Sequence, residues 1–300
     1  MPSRIGLMGL GRVGRNIFRL LYDRDDLQLV AVSDPADHAG LAYLLRFDTL
    51  LGRFPEELRL EDDTRLHVGG RTIEMLSGKQ PGDVDWAALG VDTVIEATEA
   101  TAKLRTRAEL ERHLEKGAKR VILCSPLADA PDITVVLGLN DGELRPEHRI
   151  VSAGSDTANA AAPALAILRE AFGIQRGFVT TVHAYTNQQR LADVPAEDPR
   201  LGRAAAENII PQETGAAKVL EGLLPDLQGK LTGMAMNVPV ANGSVVDLVC
   251  WHDKPVTVES VNEAFRKAVA SDRWKGVLEY VADPIVSSDV LLSTCSGRPP

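Results

Sequence analysis

Gly9, Gly11 and Gly14 stand in the pattern G-x-G-x-x-G, with Arg12 and Val13 inside it. Asp34 follows about twenty residues after the last glycine, the spacing of a dinucleotide-binding unit. The chemistry of such a pattern is anion binding. Gly9 permits a tight turn, Gly11 lets backbone approach a pyrophosphate, and the helix that follows offers free N–H groups. Asp34 is placed to take the ribose hydroxyls, which favours NAD and disfavours a 2′-phosphate. The second chemically suggestive stretch is Ser152 to Pro163, SAGSDTANAAAP. Asp156 sits at the mouth of a helix predicted to begin near Thr157, where the helix N-terminus favours negative charge, thiolate or carboxylate alike. A carboxylate is a far poorer carbonyl nucleophile than a thiolate. Asp156 therefore either runs some chemistry or marks where one was lost.

The elements that position these residues follow from periodicity. Arg4 to Met8 is a short apolar strand. Helical spacing through Val13, Ile17, Leu20 and Leu21 comes next, then a strand at Gln28 to Ser33 ending on Asp34. Leu58 to Ser77 alternates around Gly69 and Gly70 as a hairpin. Val91 to Ala97 is a strand, Leu104 to Glu115 an amphipathic helix stopped by Gly117, and Arg120 to Cys124 a buried strand closed by Ser125 and Pro126. Alternating strands and helices predict a doubly wound α/β domain with a mostly parallel sheet. Its ligands sit beyond the carboxyl ends of the strands, where Asp34, Thr98 and Cys124 fall. After Pro163 a helix at Ala164 to Phe172 leads to a strand at Gly177 to His183. A polar, aperiodic run covers Thr186 to Arg203. Strands at Lys230 to Val238 and Ser244 to Trp251, a helix at Val258 to Ala270 capped by Thr257, and a last strand at Val277 to Val281 complete an α+β domain with an antiparallel sheet. Arg105, Arg107, Glu109 and Glu111 read as a solvated helix face.

Three hundred residues support two cores, and 44% hydrophobic with 25% charged residues is ordinary for a soluble chain. A net charge of −9 argues against nucleic acid as the partner, since phosphate backbones want a basic face. No apolar run is long enough to span a membrane, and the start reads as a strand and not as a signal peptide. Cys124, Cys250 and Cys295 form no disulfide framework and no zinc spacing, so a reducing cytoplasm is expected.

Taken together, GLGRVGR, SDP at Ser33 to Pro35, GAKRVILCSP, TTVHAYTNQQ, RAAAENIIP, TGAAK, KLTGMA and PIVSSD resemble phosphorylating glyceraldehyde-3-phosphate dehydrogenases over nearly the whole chain, to Asp289. The resemblance implies an NAD-binding Rossmann-type domain over 1–151 and a catalytic domain over 152–300. It also implies a homotetramer in which the segment Thr186 to Arg203 lies near a neighbour's cofactor, and an aldehyde or phosphosugar substrate. Gly9, Gly11, Arg12, Val13, Gly14, Asp34, Thr98, Ser125 and Asn187 are the positions implied for the cofactor. Family chemistry uses a thiolate to attack the aldehyde, hydride transfer to NAD, and phosphate to cleave the thioester, with a histidine that moves protons. His183 matches that histidine. Ser155, Thr157, Thr186, Arg203, Thr214 and Gly215 match substrate and phosphate positions.

The departures from this pattern are specific. Asp156 stands where the family has its cysteine, and Ala160 replaces the second cysteine. Asn237 stands where an arginine is expected, removing a bidentate phosphate clamp, with Arg203 left as a partial substitute. Glu99 replaces a glycine beside the expected cofactor and is expected to weaken its binding. The family also continues for a few tens of residues beyond a segment such as LLSTCSGRPP, with a strand and a covering helix whose loss exposes apolar surface. Asp156 has three readings: a relic, a partner of His183, or a helix cap. Cys124 is a substitute nucleophile or a small buried hydrophobe. Three functions remain open. One is a family member whose thioester-forming activity is lost or strongly reduced. Another is thiol-free hydride transfer on a hydroxyl or aldehyde, using Asp156 and His183. The third is a non-catalytic, NAD-binding or regulatory paralogue.

Overall fold

The computed structural model describes residues 2–98, 104–291 and 293–297. Two compact units emerge, Met1–Val135 with Leu144–Gly154, and Val136–Glu143 with Ser155–Pro300.

The first unit is built on a nine-stranded sheet. Its strands are β1 (Ser3–Met8), β2 (Leu27–Ser33), β5 (Leu58–Glu61), β6 (Arg65–Val68), β7 (Arg71–Leu76), β8 (Thr93–Glu96), β9 (Arg120–Leu123), β10 (Ile133–Thr134) and β11 (Ile150–Ser152). The tiny hairpin β3 (Phe47–Asp48) and β4 (Gly52–Arg53) stands apart, and α1 (Arg12–Tyr22), α2 (His38–Arg46) and α3 (Arg107–Glu115) are the helices. The sheet order is β10-β11-β9-β8-β1-β2-β7-β6-β5. Pairing is parallel from β10 through to β7 and antiparallel only at the β7-β6-β5 end. The chain runs outward from β1 through β2, then returns to β8 on the other side. That reversal is the switch point at which doubly wound sheets bind ligands. The expected Leu58–Ser77 hairpin is a meander of three strands, turned at Asp62 and Asp63 (φ 48° and 56°) and at Gly69 and Gly70 (φ 50° and 81°). The sequence showed the second turn, because glycine advertises positive φ, and missed the first.

The expected helix from Leu104 starts later, at Arg107. Thr106 caps it by accepting from the Glu109 amide, and Glu109 reaches back to the Thr106 amide at 2.7 Å. Arg105 consequently lies outside the helix and is not a solvated residue. Its guanidinium is 12% exposed and donates to Gln80 and to Thr98 Oγ1.

The second unit carries a four-stranded sheet of order β13-β14-β12-β15, from β12 (Arg176–Ala184), β13 (Ile210–Gln212), β14 (Leu231–Val238) and β15 (Val245–Trp251). The expected antiparallel pairings are there at both sides, with one parallel pairing, β12 with β14, at the centre. Helices α4 (Asp156–Phe172), α5 (Ala216–Leu223) and α6 (Val258–Val269) pack on it, with Leu165, Ile167, Val179, Leu220 and Phe265 in one apolar cluster. The sequence divided α4 at Pro163. The structure runs one helix through it, at the cost of one intrahelical bond, because Ala158, Ala161, Ala162 and Ala166 bury a smooth face that holds the helix together. Strand β13 and helix α5 were not foreseen. The expected strand at Val277 to Val281 is a turn region with isolated bridges at Lys275 and Leu278.

Candidate functional site

The glycine turn of the first unit shows what each glycine does. Gly9 has φ +91°, and a Cβ there would fall 2.7 Å from the Thr98 amide nitrogen. A Cβ on Gly14 would fall 2.0 Å from the Gly9 carbonyl oxygen, so this glycine lets α1 press against the turn. A Cβ on Gly11 would meet nothing within 4 Å. The space over Gly11 is open, and Gly11 is the N-cap of α1 without any side-chain cap. Arg12, Val13 and Gly14 form the first turn behind it. Asp34 Oδ2 accepts from the Leu10 amide at 2.8 Å, and Oδ1 accepts from the Ala36 amide at 2.9 Å. These bonds aim the carboxylate across the turn and leave lone pairs for two further donors. Open backbone, an uncapped helix start and an oriented carboxylate fit a dinucleotide with free ribose hydroxyls. Thr98 and Ser125 follow β8 and β9 at the same end of the sheet. Thr98 donates its amide to Glu96 at 3.0 Å, and Ser125 accepts from Ser152 Oγ at 2.8 Å. Glu99 lies outside the described residues.

Cys124 is no substitute nucleophile. It packs against the core cluster of Leu7, Val32 and Met75. Burial, with the Glu96 carboxylate adding to it, pushes its thiol up to about 12. Cys250 is likewise raised by burial alone.

In the second unit, Ser155 and not Asp156 caps α4, its Oγ accepting from the Ala158 amide at 3.1 Å. That overturns the cap reading of Asp156. The Asp156 carboxylate instead reaches His183 on β12: Oδ2 lies 2.8 Å from Nε2, and Oδ1 accepts from the Thr157 amide at 2.7 Å. Nδ1 of His183 lies 2.6 Å from the Ala184 carbonyl oxygen. Both ring nitrogens therefore face oxygens. The His183 hydrogen bond holds the Asp156 carboxyl below the usual carboxylate range. The Asp156 side chain is 68% exposed against 24% for His183, so the carboxylate is the accessible partner. Asp156 and Thr157 also line a cavity of about 630 Å³ with Ala160, Ser244 and Leu248.

The positions expected to hold phosphate are occupied with one another. Asn237 is 7% exposed and donates to Gln189 Oε1 at 3.1 Å. The same oxygen accepts from the Thr186 amide at 2.6 Å and from Thr186 Oγ1 at 3.1 Å. Arg203 pairs with Asp193 at 3.1 Å, with both side chains more than half exposed. Thr214 Oγ1 accepts from the Ala216 amide at 3.1 Å, and Gly215 is the N-cap of α5. Asn187 is exposed, next to Thr186. The structure thus gathers Thr186 and Asn237 through Gln189, a residue that sequence reasoning quoted in TTVHAYTNQQ without a role. A buried asparagine needs a partner, and that need was the available signal.

Comparison with known proteins gives the family. A family profile described as glyceraldehyde 3-phosphate dehydrogenase, NAD binding domain, matches residues 3–104, and the profile of the corresponding C-terminal domain matches 155–298. The glyceraldehyde-3-phosphate dehydrogenase of Streptomyces coelicolor is 48% identical over 97% of this chain and 85% of the relative. That of Geobacillus stearothermophilus is 46% identical over 99% and 87%, and that of Mycobacterium leprae 44% over 97% and 86%. The chain belongs to the glyceraldehyde-3-phosphate dehydrogenase family. As a family member it is an NAD-dependent oxidoreductase by fold and cofactor, with the Rossmann-type unit as its NAD-binding part. Among the described residues, no helix is long and apolar enough to cross a membrane, and no cluster of His, Cys, Asp or Glu could hold a metal ion.

Proposed function

We infer that this glyceraldehyde-3-phosphate dehydrogenase family member binds NAD and has lost, or retains only in trace, the thioester-forming reaction. One observation carries this reading. The atom facing His183 Nε2 at 2.8 Å is a carboxylate oxygen of Asp156 and not a sulfur. A carboxylate adding to an aldehyde expels readily and gives no thioester for phosphate to cleave. Losing a covalent nucleophile costs several orders of magnitude. The buried Asn237, held by Gln189, supports the same reading on the phosphate side. NADH formation from glyceraldehyde 3-phosphate, NAD and phosphate tests it. A rate typical of family members would sink the idea.

A second reading has its own observation, the accessibility of the Asp156–His183 pair. Bound NAD supplies the two-electron acceptor. The pair takes the hydroxyl proton of an alcohol or hydrated aldehyde as the carbon loses hydride, and returns it in the reverse direction. With the arginine clamp gone, a substrate bearing less phosphate suits the site. A screen of alcohols and aldehydes with NAD, repeated on His183→Ala, decides it: turnover abolished by the substitution supports the reading, and no turnover with any compound removes it. NAD binding without turnover, together with co-purification of an active paralogue, would instead support a non-catalytic regulatory subunit. A homotetramer in the cytoplasm is the assembly that family resemblance supports.

A further inference from the structure

Inside the NAD-binding unit lies a chain of polar side chains that no part of the expected chemistry uses. Glu96, His113 and Trp86 are each fully buried. The indole Nε1–H of Trp86 donates to His113 Nδ1 at 2.9 Å. An indole nitrogen only donates, so Nδ1 is the acceptor and the ring proton sits on Nε2. Nε2 lies 3.0 Å from Glu96 Oε2 and donates to it. The other carboxylate oxygen, Oε1, accepts both the amide of Thr98, at 3.0 Å, and its hydroxyl. Thr98 Oγ1 in turn accepts from Arg105 at 3.1 Å. Both oxygens of the Glu96 carboxylate and both ring nitrogens of His113 have partners, which is the condition for a buried carboxylate to be tolerated. The chain is also built into the scaffold. A Cβ on Gly6 of β1 would fall 2.5 Å from the Trp86 ring, so that glycine makes room for the indole.

We propose that Glu96, His113 and Trp86 form a buried clamp that positions Thr98 beneath the glycine turn, and so tunes NAD affinity without touching the cofactor. The link to the turn is geometric. The Thr98 amide nitrogen lies 2.7 Å from where a Gly9 Cβ would be, and the Ala97 amide donates to the Met8 carbonyl at 2.7 Å. Thr98 is the floor on which Gly9 rests. With amide and hydroxyl both tied to one carboxylate oxygen, it has a single conformation. Freed from Glu96, its amide would seek another acceptor and the turn above it would lose its support.

The chain of donors gives a sharp test. In Glu96→Gln, the carboxamide NH2 faces a donor in either orientation: His113 Nε2–H where Oε2 was, or the Thr98 amide where Oε1 was. In His113→Gln a donor remains where Nε2 was; in His113→Leu it does not. NAD is titrated calorimetrically into each full-length variant, and exchange of the Thr98 amide is followed without ligand. Glu96→Gln and His113→Leu are expected to weaken NAD by about tenfold, the effect of one unsatisfied buried group, with faster Thr98 exchange. His113→Gln is expected to restore affinity to within about threefold of the parent. Unchanged affinity and exchange in folded Glu96→Gln would overturn the proposal, as would equal losses in His113→Gln and His113→Leu, which would indicate packing alone. Should the Glu96 and His113 variants fail to fold, Trp86→Phe, which deletes the indole N–H and keeps most of the ring, is read by the same two measurements. Weaker NAD and faster Thr98 exchange support the clamp; parental values of both overturn it.

Discussion

Asp156 Oδ2 and His183 Nε2 face each other across 2.8 Å, joining the first turn of α4 to the end of β12. The same imidazole holds the Ala184 carbonyl through Nδ1 at 2.6 Å. A side chain presented at this helix start, beside an imidazole, is in the environment that makes a thiol ionise. Asp156→Cys is therefore expected to give a thiol that iodoacetamide alkylates rapidly at neutral pH. With glyceraldehyde 3-phosphate, NAD and phosphate, Asp156→Cys should raise turnover by orders of magnitude, and adding Asn237→Arg should raise it again by lowering the requirement for phosphate. Slow alkylation of the new cysteine would show that the site no longer activates a nucleophile.

The pH dependence of the pair has a definite sign. The Asp156 carboxyl is depressed below its unfolded value by His183. Such a group contributes stability above the unfolded pKa of about 4, and that contribution is lost as pH falls through the folded value. Because Asp156 is 68% exposed, solvent screening keeps the contribution to about 1 kcal/mol or less. Asp156→Asn should lower the unfolding midpoint by about 2 °C at pH 7, and by progressively less as pH falls below about 4. A difference that grows on acidification would contradict this assignment.

Cys124 offers a control. With its thiol pushed to about 12, roughly one molecule in ten thousand is ionised at pH 8, against about one in four for an ordinary cysteine. Native protein should show negligible alkylation at Cys124 over minutes, and full alkylation once unfolded. Cys124→Ala should leave NAD affinity within about twofold and cost about 1–2 kcal/mol of stability through the space it empties.

Cofactor choice tests Asp34. Its carboxylate accepts from Leu10 and Ala36, so its orientation is fixed before any ligand arrives. NAD should bind more tightly than NADP by at least about tenfold, since a 2′-phosphate would meet this charge. Asp34→Ser should narrow that ratio mainly by weakening NAD, and calorimetric titration of both dinucleotides measures it. Equal affinities in the parent would remove Asp34 from cofactor selection.

The sequence by itself determined what short-range physics encodes. Gly9, Gly11 and Gly14 declare a turn that only glycine allows, and the apolar periods declare the strands that lead into and out of it. Asp156, Asn237 and His183 were legible as identities at matched positions. What those side chains do was decided by tertiary structure, because a hydrogen-bond partner is chosen across space. Ser155 took the cap and left Asp156 to His183, while Gln189 closed Thr186 and Asn237 into one network. The Glu96–His113–Trp86 chain was invisible for the same reason. Its members belong to a strand, a helix and a loop, and only folding removes the water that would otherwise satisfy each of them separately. Strand β13 and the first turn of the β5–β7 meander escaped because their sequences lack a period or a glycine, and packing against neighbours supplies what local propensity does not. Helix α5 does carry helical spacing, at Ala216, Val219, Leu220 and Leu223, over only eight residues. Asp156 was thus readable as a substitution, and its pairing with His183 became readable only once α4 and β12 were brought together.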